Sequence, residues 1–274
     1  MIQAGGSMGS TGNMATRMIL AVAGVAAMGW AIAVLPKFSS EIAIVNVARA
    51  VANGEVFKPD VLVAIDVQTE NHVGWMVRPS VLSGAAVIRL RQTEDAIRGG
   101  DTKHIDRKLE SLTKVIDASL LNAPSDPFLW LARFWLKNFV NGFRPYHLQN
   151  LRMSYDIGRY EGWIAVKRNR LALAYYPVIP SDLAEMATSE FVDLVRWGLA
   201  GEAADIAAGP GRPLRNILFP RLKDLSVDQL RPFAQGIYGR ELDDVLVPRI
   251  DPPKPQIPMP VLPSEFKNNS PGWN

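Results

Sequence analysis

The stretch from Ser125 to Tyr176 constrains the fold more than any other part of the chain. It begins SDPFLWLARFWLKNFVNGF, breaks at Arg144-Pro145, and resumes as YHLQNLRMSYDIGRYEGWIAVKRNRLALAYY. In the first run Asp126 suits the cap of a helix, because its carboxylate accepts from the orphan amides of the first turn. Pro127 suits the first helical position, where no amide hydrogen is needed. Phe128, Leu129, Trp130, Leu131, Phe134, Trp135, Leu136, Phe139 and Val140 then cover nearly the whole circumference. A helix apolar on all sides is expected to be buried on most of them. With about 15 residues it is too short to span a bilayer, so it reads as the central helix of a packed helical domain.

Its neighbours carry helical periodicity as well. Residues from Ser40, EIAIVNVARAVANGE, form one predicted helix with a stop at Gly54, and Pro59 opens a short one through Val67. Pro79 opens another, with Val81, Ala85, Ile88 and Ala96 near one face, ending at Gly99-Gly100. Asp101 is placed to cap an amphipathic helix in which Ile105, Leu109, Leu112, Ile116 and Leu120 follow 3-4 spacing. Asn122-Ala123-Pro124 closes it. Glu161 to Tyr176 pairs with the Trp-rich helix. Beyond it, Asp182 with Glu185 and Ser226 with Gln229 have the spacing of capping boxes, and Gly209-Pro210-Gly211 reads as a turn. No strand-like alternation of useful length recurs, so the expected fold class is all-α.

Trp130-Leu131-Ala132 and Trp163-Ile164-Ala165 are 33 residues apart, and Trp197 lies 34 further on. That period is the one expected of tetratricopeptide-type helix pairs, although the match at Trp197 is confined to one residue. Helical hairpins stacked as a solenoid, or an irregular helical bundle, are the two architectures left open.

The N-terminus reads as an address. Residues 1–17 are rich in Gly, Ser, Met and Thr, with Arg17 the one charged side chain. Met18 to Leu35 are eighteen residues without a charge. At ~1.5 Å per residue they reach ~27 Å, close to the ~30 Å hydrocarbon core of a bilayer. Trp30 is a residue type found near membrane interfaces, and Pro36-Lys37 marks the expected exit. The expectation is a single-pass anchor. A cleaved secretory signal with Ala31-Ile32-Ala33 as its small-residue site is the principal alternative, and a buried helix the other. The short polar N-terminus is easiest to keep inside, which sends the bulk of the chain across the inner membrane into the periplasm.

Composition narrows the chemistry. The chain has 274 residues, 48% hydrophobic and 21% charged, and no cysteine. Disulfides, thiolate nucleophiles, thiolate-held metals and cysteine acylation are therefore excluded. Leaving aside Arg17 and Lys37 beside the apolar run, 28 basic and 27 acidic residues remain, a balance unlike that of a nucleic-acid binder. His72, His104 and His147 are far apart, and none has a carboxylate at metal-ligand spacing. No G-x-S-x-G elbow, P-loop or dinucleotide glycine pattern occurs. No cofactor, metal or catalytic residue is assigned.

Two charge clusters stand out. Arg144, Arg152, Arg159, Lys167, Arg168 and Arg170 oppose only Asp156 and Glu161, whereas Asp182, Glu185, Glu190, Asp193, Glu202 and Asp205 oppose Arg196. These segments face each other or solvent, or else the basic face meets an anionic partner. Arg159, Lys167, Arg168 and Arg170 are the candidate partner-binding residues.

The segment SDPFLWLARFWL…SYDIGRYEGWIAVKRNRLAL…SEFVDLVRWGL resembles the helical, tetratricopeptide-like periplasmic region of membrane-anchored proteins from alphaproteobacterial polysaccharide gene clusters. The likeness spans roughly Asp101 to Pro248. It rests on Pro127, Trp130, Leu131 and Ala132, on the Glu161-Gly162-Trp163-Ile164-Ala165 junction, and on Arg168-Asn169-Arg170. It implies accessory work in exopolysaccharide or O-antigen assembly or export, beside a polysaccharide polymerase or export component.

The organisation expected is thus a cytoplasmic N-terminus (1–17), a transmembrane anchor (18–36), a periplasmic helical domain (40–247) and a Pro-rich tail (248–274). The tail has eight prolines in twenty-seven residues and reads as extended or disordered. The function expected is a non-catalytic scaffold, with homo-oligomerisation left open. The rivals are a glycan-modifying enzyme using Glu161 and Asp156 in a helical groove, and a lipid- or glycan-binding module using the basic cluster.

Overall fold

A computed structural model describes residues 10–52, 54–70, 78–100, 102–240 and 246–251, with only the backbone described at 10–13, 15, 33–40, 68–70 and 102. The cap at Asp101, His72, and the tail from 252 onward lie outside the described residues. Within them every regular element is helical, as the periodicity requires. In chain order these are α1 (Ser10–Ala52), α2 (Pro59–Glu70), α3 (Pro79–Arg98), α4 (Thr102–Asn122), α5 (Pro127–Asn141), α6 (Leu148–Ile157) and α7 (Gly162–Ala174). Then follow α8 (Ser181–Arg196), α9 (Ala200–Ala208), a four-residue α10 (Arg215–Leu218) and α11 (Val227–Tyr238), with 3₁₀ turns between several of them. The stretch expected as one domain, 40–247, is divided between two compact units, Met1–Ala184 and Glu185–Asn274.

In the first unit α1 runs unbroken through Pro36, so the expected anchor and the helix expected from Ser40 are one continuous helix. A proline removes one i→i−4 bond but leaves the bonds on either side to carry the helix. The last turns of α1 enter the core. Ile44, Ala48 and Val51 are buried with Leu62 of α2 and with Val81 and Ile88 of α3. Gly84 of α3 allows the close approach, since a Cβ there would meet Ala48 Cβ and Ile44 Cγ2 at 3.3 Å. Toward its other end, α1 is exposed on every side from Thr16 to Trp30. Among the described residues no helix is long and apolar enough to cross a membrane. The eighteen-residue apolar run ends at Ala33–Leu35, whose side chains lie outside the description.

The Trp-rich helix forms as expected at its start. Asp126 Oδ1 accepts from the amides of Phe128 and Leu129, and Pro127 occupies the first turn. Burial is less complete than its composition implies. Phe128, Leu129, Leu131, Ala132, Phe134 and Leu136 are buried, but Trp130 and Trp135 are half-buried and Phe139 and Val140 exposed. Trp130 explains its position, because its indole N–H donates to the Pro124 carbonyl at 2.8 Å, at the edge of the fold. Trp130 and Trp163 both lie in first helical turns, whereas Trp197 lies beyond the end of α8.

The connection from α6 to α7 rests on a buried cation. Arg168 is fully buried, with Nη1 donating to the Ser154 carbonyl at 2.6 Å and Nη2 to the Gly158 carbonyl at 3.0 Å. Its guanidinium lies 4.3 Å from the centroid of the Tyr155 ring. The accepting carbonyls are at the C-terminal end of α6, where the helix dipole favours positive charge. Gly158 is required there, because a Cβ would meet Pro127 Cγ at 2.3 Å. His147 is buried nearby, its Nδ1 3.0 Å from Asn138 Oδ1. Burial first, then the charges of Lys137 and Arg144, hold its pKa below the usual value.

In the second unit α11 packs on α9, and Gly236 permits it, since a Cβ there would lie 2.8 Å from Ala204 Cβ. Phe233 of α11 meets Phe191 and Phe219 edge-on. The Ser226–Gln229 capping box forms as its spacing predicts. The Asp182–Glu185 pair behaves differently: Asp182 is bonded to Arg152 at 2.5 Å, and Glu185 to Arg221. Asp182 falls inside the first turn of α8, one position past the helix start at Ser181, so it does not stand where a cap would.

The Arg168 contacts predict an asymmetric cost. Arg168→Met leaves the Ser154 and Gly158 carbonyls without this donor, for an expected loss of roughly 2–4 kcal/mol in chemical denaturation. Arg168→Lys should recover only part of it, because one ammonium cannot reproduce the planar fork. A loss under ~1 kcal/mol for the Met variant would show that the guanidinium is dispensable.

Candidate binding groove

Two adjoining cavities lie in the first unit, of about 460 and 320 Å³. Both are lined by Ala52, Val87 and Phe128, so they form one trough beside the last turns of α1 and along α3. Its length follows α3 from Ser80 to Glu94, ~21 Å at the helical rise. Helical spacing creates the wall: Val87, Leu90, Arg91 and Glu94 recur at three- and four-residue steps on one face of α3. Leu131 and Trp135 come from α5, and Val166, Lys167, Arg170 and Leu171 from α7 by the same rule.

Charged groups line both cavities: Lys167, Arg170, Arg91 and Glu94 the first, Arg49 and Asp126 the second. Arg91 is committed to Asp95, at 2.9 Å. Among the described residues no ion pair within 4.0 Å holds Lys167 or Arg170. Burial raises the pKa of Glu94 above the usual carboxylate range, against the charges of Lys167, Arg91 and Arg98 and with that of Asp95. In the second cavity Asp126 is already occupied by the α5 cap and by Ser83, whose Oγ donates to Oδ2 at 2.6 Å.

The structure separates the four candidate basic residues. Lys167 and Arg170 are exposed and line the trough. Arg159 is exposed in the turn after α6 and is not part of the lining. Arg168 must be corrected: it is an interior structural cation, because helical geometry turns it away from Lys167 and into the α6 carbonyls. Arg152 and Asp182 meet, as expected of neighbouring segments of opposite sign.

Glu161 stands at the start of α7 without making a side-chain cap. Burial raises its pKa, followed by the charge of Asp126, while Arg168 works against both. The carboxylate it responds to is thus Asp126 rather than the Asp156 chosen from sequence proximity. Glu94 was not singled out by sequence, where it is one acid in a helix with several charges. The signal was its place in the 87-91-94 stripe. Among the described residues no group of three or more His, Asp or Glu side chains is placed to hold a metal ion.

No protein-family model, curated protein or solved structure matches this chain.

The sign of the Glu94 shift sets its pH dependence. A carboxyl with a raised folded pKa contributes stability that is full below its ordinary value of 4.5 and is lost as pH rises through the raised value. Glu94→Gln removes that loss. The variant should therefore melt higher than the native chain at pH 7, with the gap closing toward pH 4. A lower melting temperature at pH 7 would mean that the nearby cations outweigh burial.

Proposed function

We propose that the protein is a membrane-tethered, non-catalytic helical scaffold, with its helical units in the periplasm and its work in polysaccharide assembly or export. The observation that carries the tether is the two-sided character of α1. One end supplies Ile44, Ala48 and Val51 to a packed core, while Met18, Ile19, Leu20, Val22, Val25, Met28, Trp30 and Ile32 are 66–73% exposed. Covering a side chain of this kind is worth ~1.5–3 kcal/mol, so the eight together amount to on the order of 10–20 kcal/mol. That is as large as the net stability of a domain. Lipid supplies the missing cover, and the run reaches bilayer length through Leu35.

The polysaccharide setting rests on the resemblance over roughly Asp101 to Pro248, and the scaffold role on the character of the groove. Its wall is mostly apolar and its free charges are basic, which favours holding a partner over acid–base chemistry. A polysaccharide polymerase or export component is the partner this reading names.

A reporter fused after Lys37 should be active only when exported, and the chain should stay in the membrane fraction through a carbonate wash. A soluble product beginning near Val34 would replace the tether with a cleaved signal. The scaffold and enzyme readings part at Glu161. Glu161→Gln should leave polysaccharide output intact, since a charge near a helix start is worth only ~0.3–1 kcal/mol. Lys167→Glu with Arg170→Glu should lower output at equal protein level and unchanged circular dichroism. Loss of output from Glu161→Gln alone, in a folded protein, would make the enzyme reading the better one.

A further inference from the structure

The corner between α5 and α6 is closed by one buried ring. His147 ends the short turn Pro145–His147 and is 1% exposed, whereas Arg144, Pro145 and Tyr146 before it are exposed. Asn138 holds the ring from α5. Its amide nitrogen donates to the Phe134 carbonyl at 2.7 Å, which leaves Oδ1 to face the ring, 3.0 Å from Nδ1. Nδ1 therefore carries the hydrogen, and a second proton can enter only at Nε2. Among the described residues Nε2 makes no hydrogen bond. On the side of α6, the His147 carbonyl accepts from Asn150 Nδ2 at 3.0 Å.

We propose that this corner is an acid-sensitive latch, in which protonation of His147 releases the Pro145–His147 turn from α5. The ring is the buried part of the turn, so the turn has little else to hold it against α5. The other end of α6 is fastened separately, where Arg168 donates to the Ser154 and Gly158 carbonyls. Release is thus confined to the corner. Lys137 and Asn150, which stand beside this network, both line a surface cavity of about 400 Å³, so opening the corner reshapes that surface.

The charges around the ring leave a second proton without compensation. Lys137 acts on it from α5 and Arg144 from the turn, both are cations, and no carboxylate acts on it. Tyr146 meets the ring edge-on, and α6 offers the amide of Asn150. Burial and the two cations hold the folded ring below its ordinary value of 6.5. The closed corner therefore keeps its full stability above that value and loses it as pH falls below. Glu94 and Glu161, both raised by burial, act in the opposite sense over the same range and cannot imitate the effect. His104, on α4, is exposed.

The test is hydrogen exchange read by mass spectrometry on the full chain in detergent micelles, corrected for the intrinsic exchange rate. One proton taken up on opening raises the opening equilibrium by up to about tenfold between pH 7.5 and pH 5.5. Protection of the peptide from Phe143 to Leu151 should fall toward that factor, while peptides of α3 and α11 keep theirs. His147→Asn retains an N–H donor near the place of Nδ1 and cannot titrate, so its corner should be equally protected at both pH values. Asn138→Asp sets a carboxylate against Nδ1 and should hold the protonated ring in place, removing the fall. Equal protection of the native corner at the two pH values overturns the latch. So does a fall that persists in His147→Asn, which would assign it to another group. A fall shared by α3 would make the event general unfolding and overturns it as well. Should His147→Asn not fold, an undiminished fall in Asn138→Asp is decisive against the proposal.

Discussion

The close approach of α1 to α3 at Gly84 is the contact on which the first unit depends. Gly84 lets the backbone of α3 come against Ala48 and Ile44, and the packing fixes the register between the two helices. A methyl group at that position would touch both neighbours at 3.3 Å, so the helices would have to part by some tenths of an ångström. Everything further along α3 inherits the register. Val87 comes to lie beside Ala52, and Leu90, Arg91 and Glu94 follow along one wall of the trough. The same contact joins the core to a helix whose far end has no cover among the described residues, so the core and the proposed tether share one continuous helix.

A second constraint orients the opposite wall. Arg168 binds the carbonyls at the end of α6, and Gly158 lets that end lie against Pro127 at the start of α5. These two contacts lock α5, α6 and α7 together, and Phe128 against Trp163, with ring centroids 5.2 Å apart, adds an aromatic contact across α5 and α7. With Arg168 turned inward, Lys167 and Arg170 on either side of it turn outward. One buried arginine therefore decides which of its basic neighbours can meet a ligand. A count of charges along the chain cannot make that distinction, because it is blind to which side of the helix each residue occupies.

Local chemistry was the legible part. The Asp126 cap, the Ser226–Gln229 box, the proline starts at Pro59 and Pro79 and the Gly99 stop each depend on residues within a turn of one another, and each appears where its spacing places it. The helical class followed from periodicity alone. What failed involved competition with distant residues. Asp182 and Glu185 had the spacing of a box, but α8 begins at Ser181, which puts Asp182 inside the first turn, and the two acids pair with Arg152 and Arg221. The apolar run and the helix from Ser40 were read as separate elements, yet one bond lost at Pro36 does not stop a helix supported on both sides. Trp135 had the composition of a core residue but lines a cavity instead. In the groove, Lys167 and Arg170 were visible as charges, whereas Glu94 and the Asp126–Glu161 proximity depend on helix pairs that meet only in the folded chain.

Several features that cost stability meet at one cavity wall, although a second carboxyl raised by burial, Glu161, lies outside it. A half-buried tryptophan, a carboxyl raised by burial and two cations without ion pairs would each be tolerable anywhere on a protein surface. Here Trp135, Glu94, Lys167 and Arg170 share the wall of one cavity. Outside that wall Asn138 donates to Phe134 and faces His147, Ser119 bonds back to Val115, and Arg168 has three acceptor contacts, whereas the buried Gln92 Nε2 and Arg133 Nε make no hydrogen bond among the described residues.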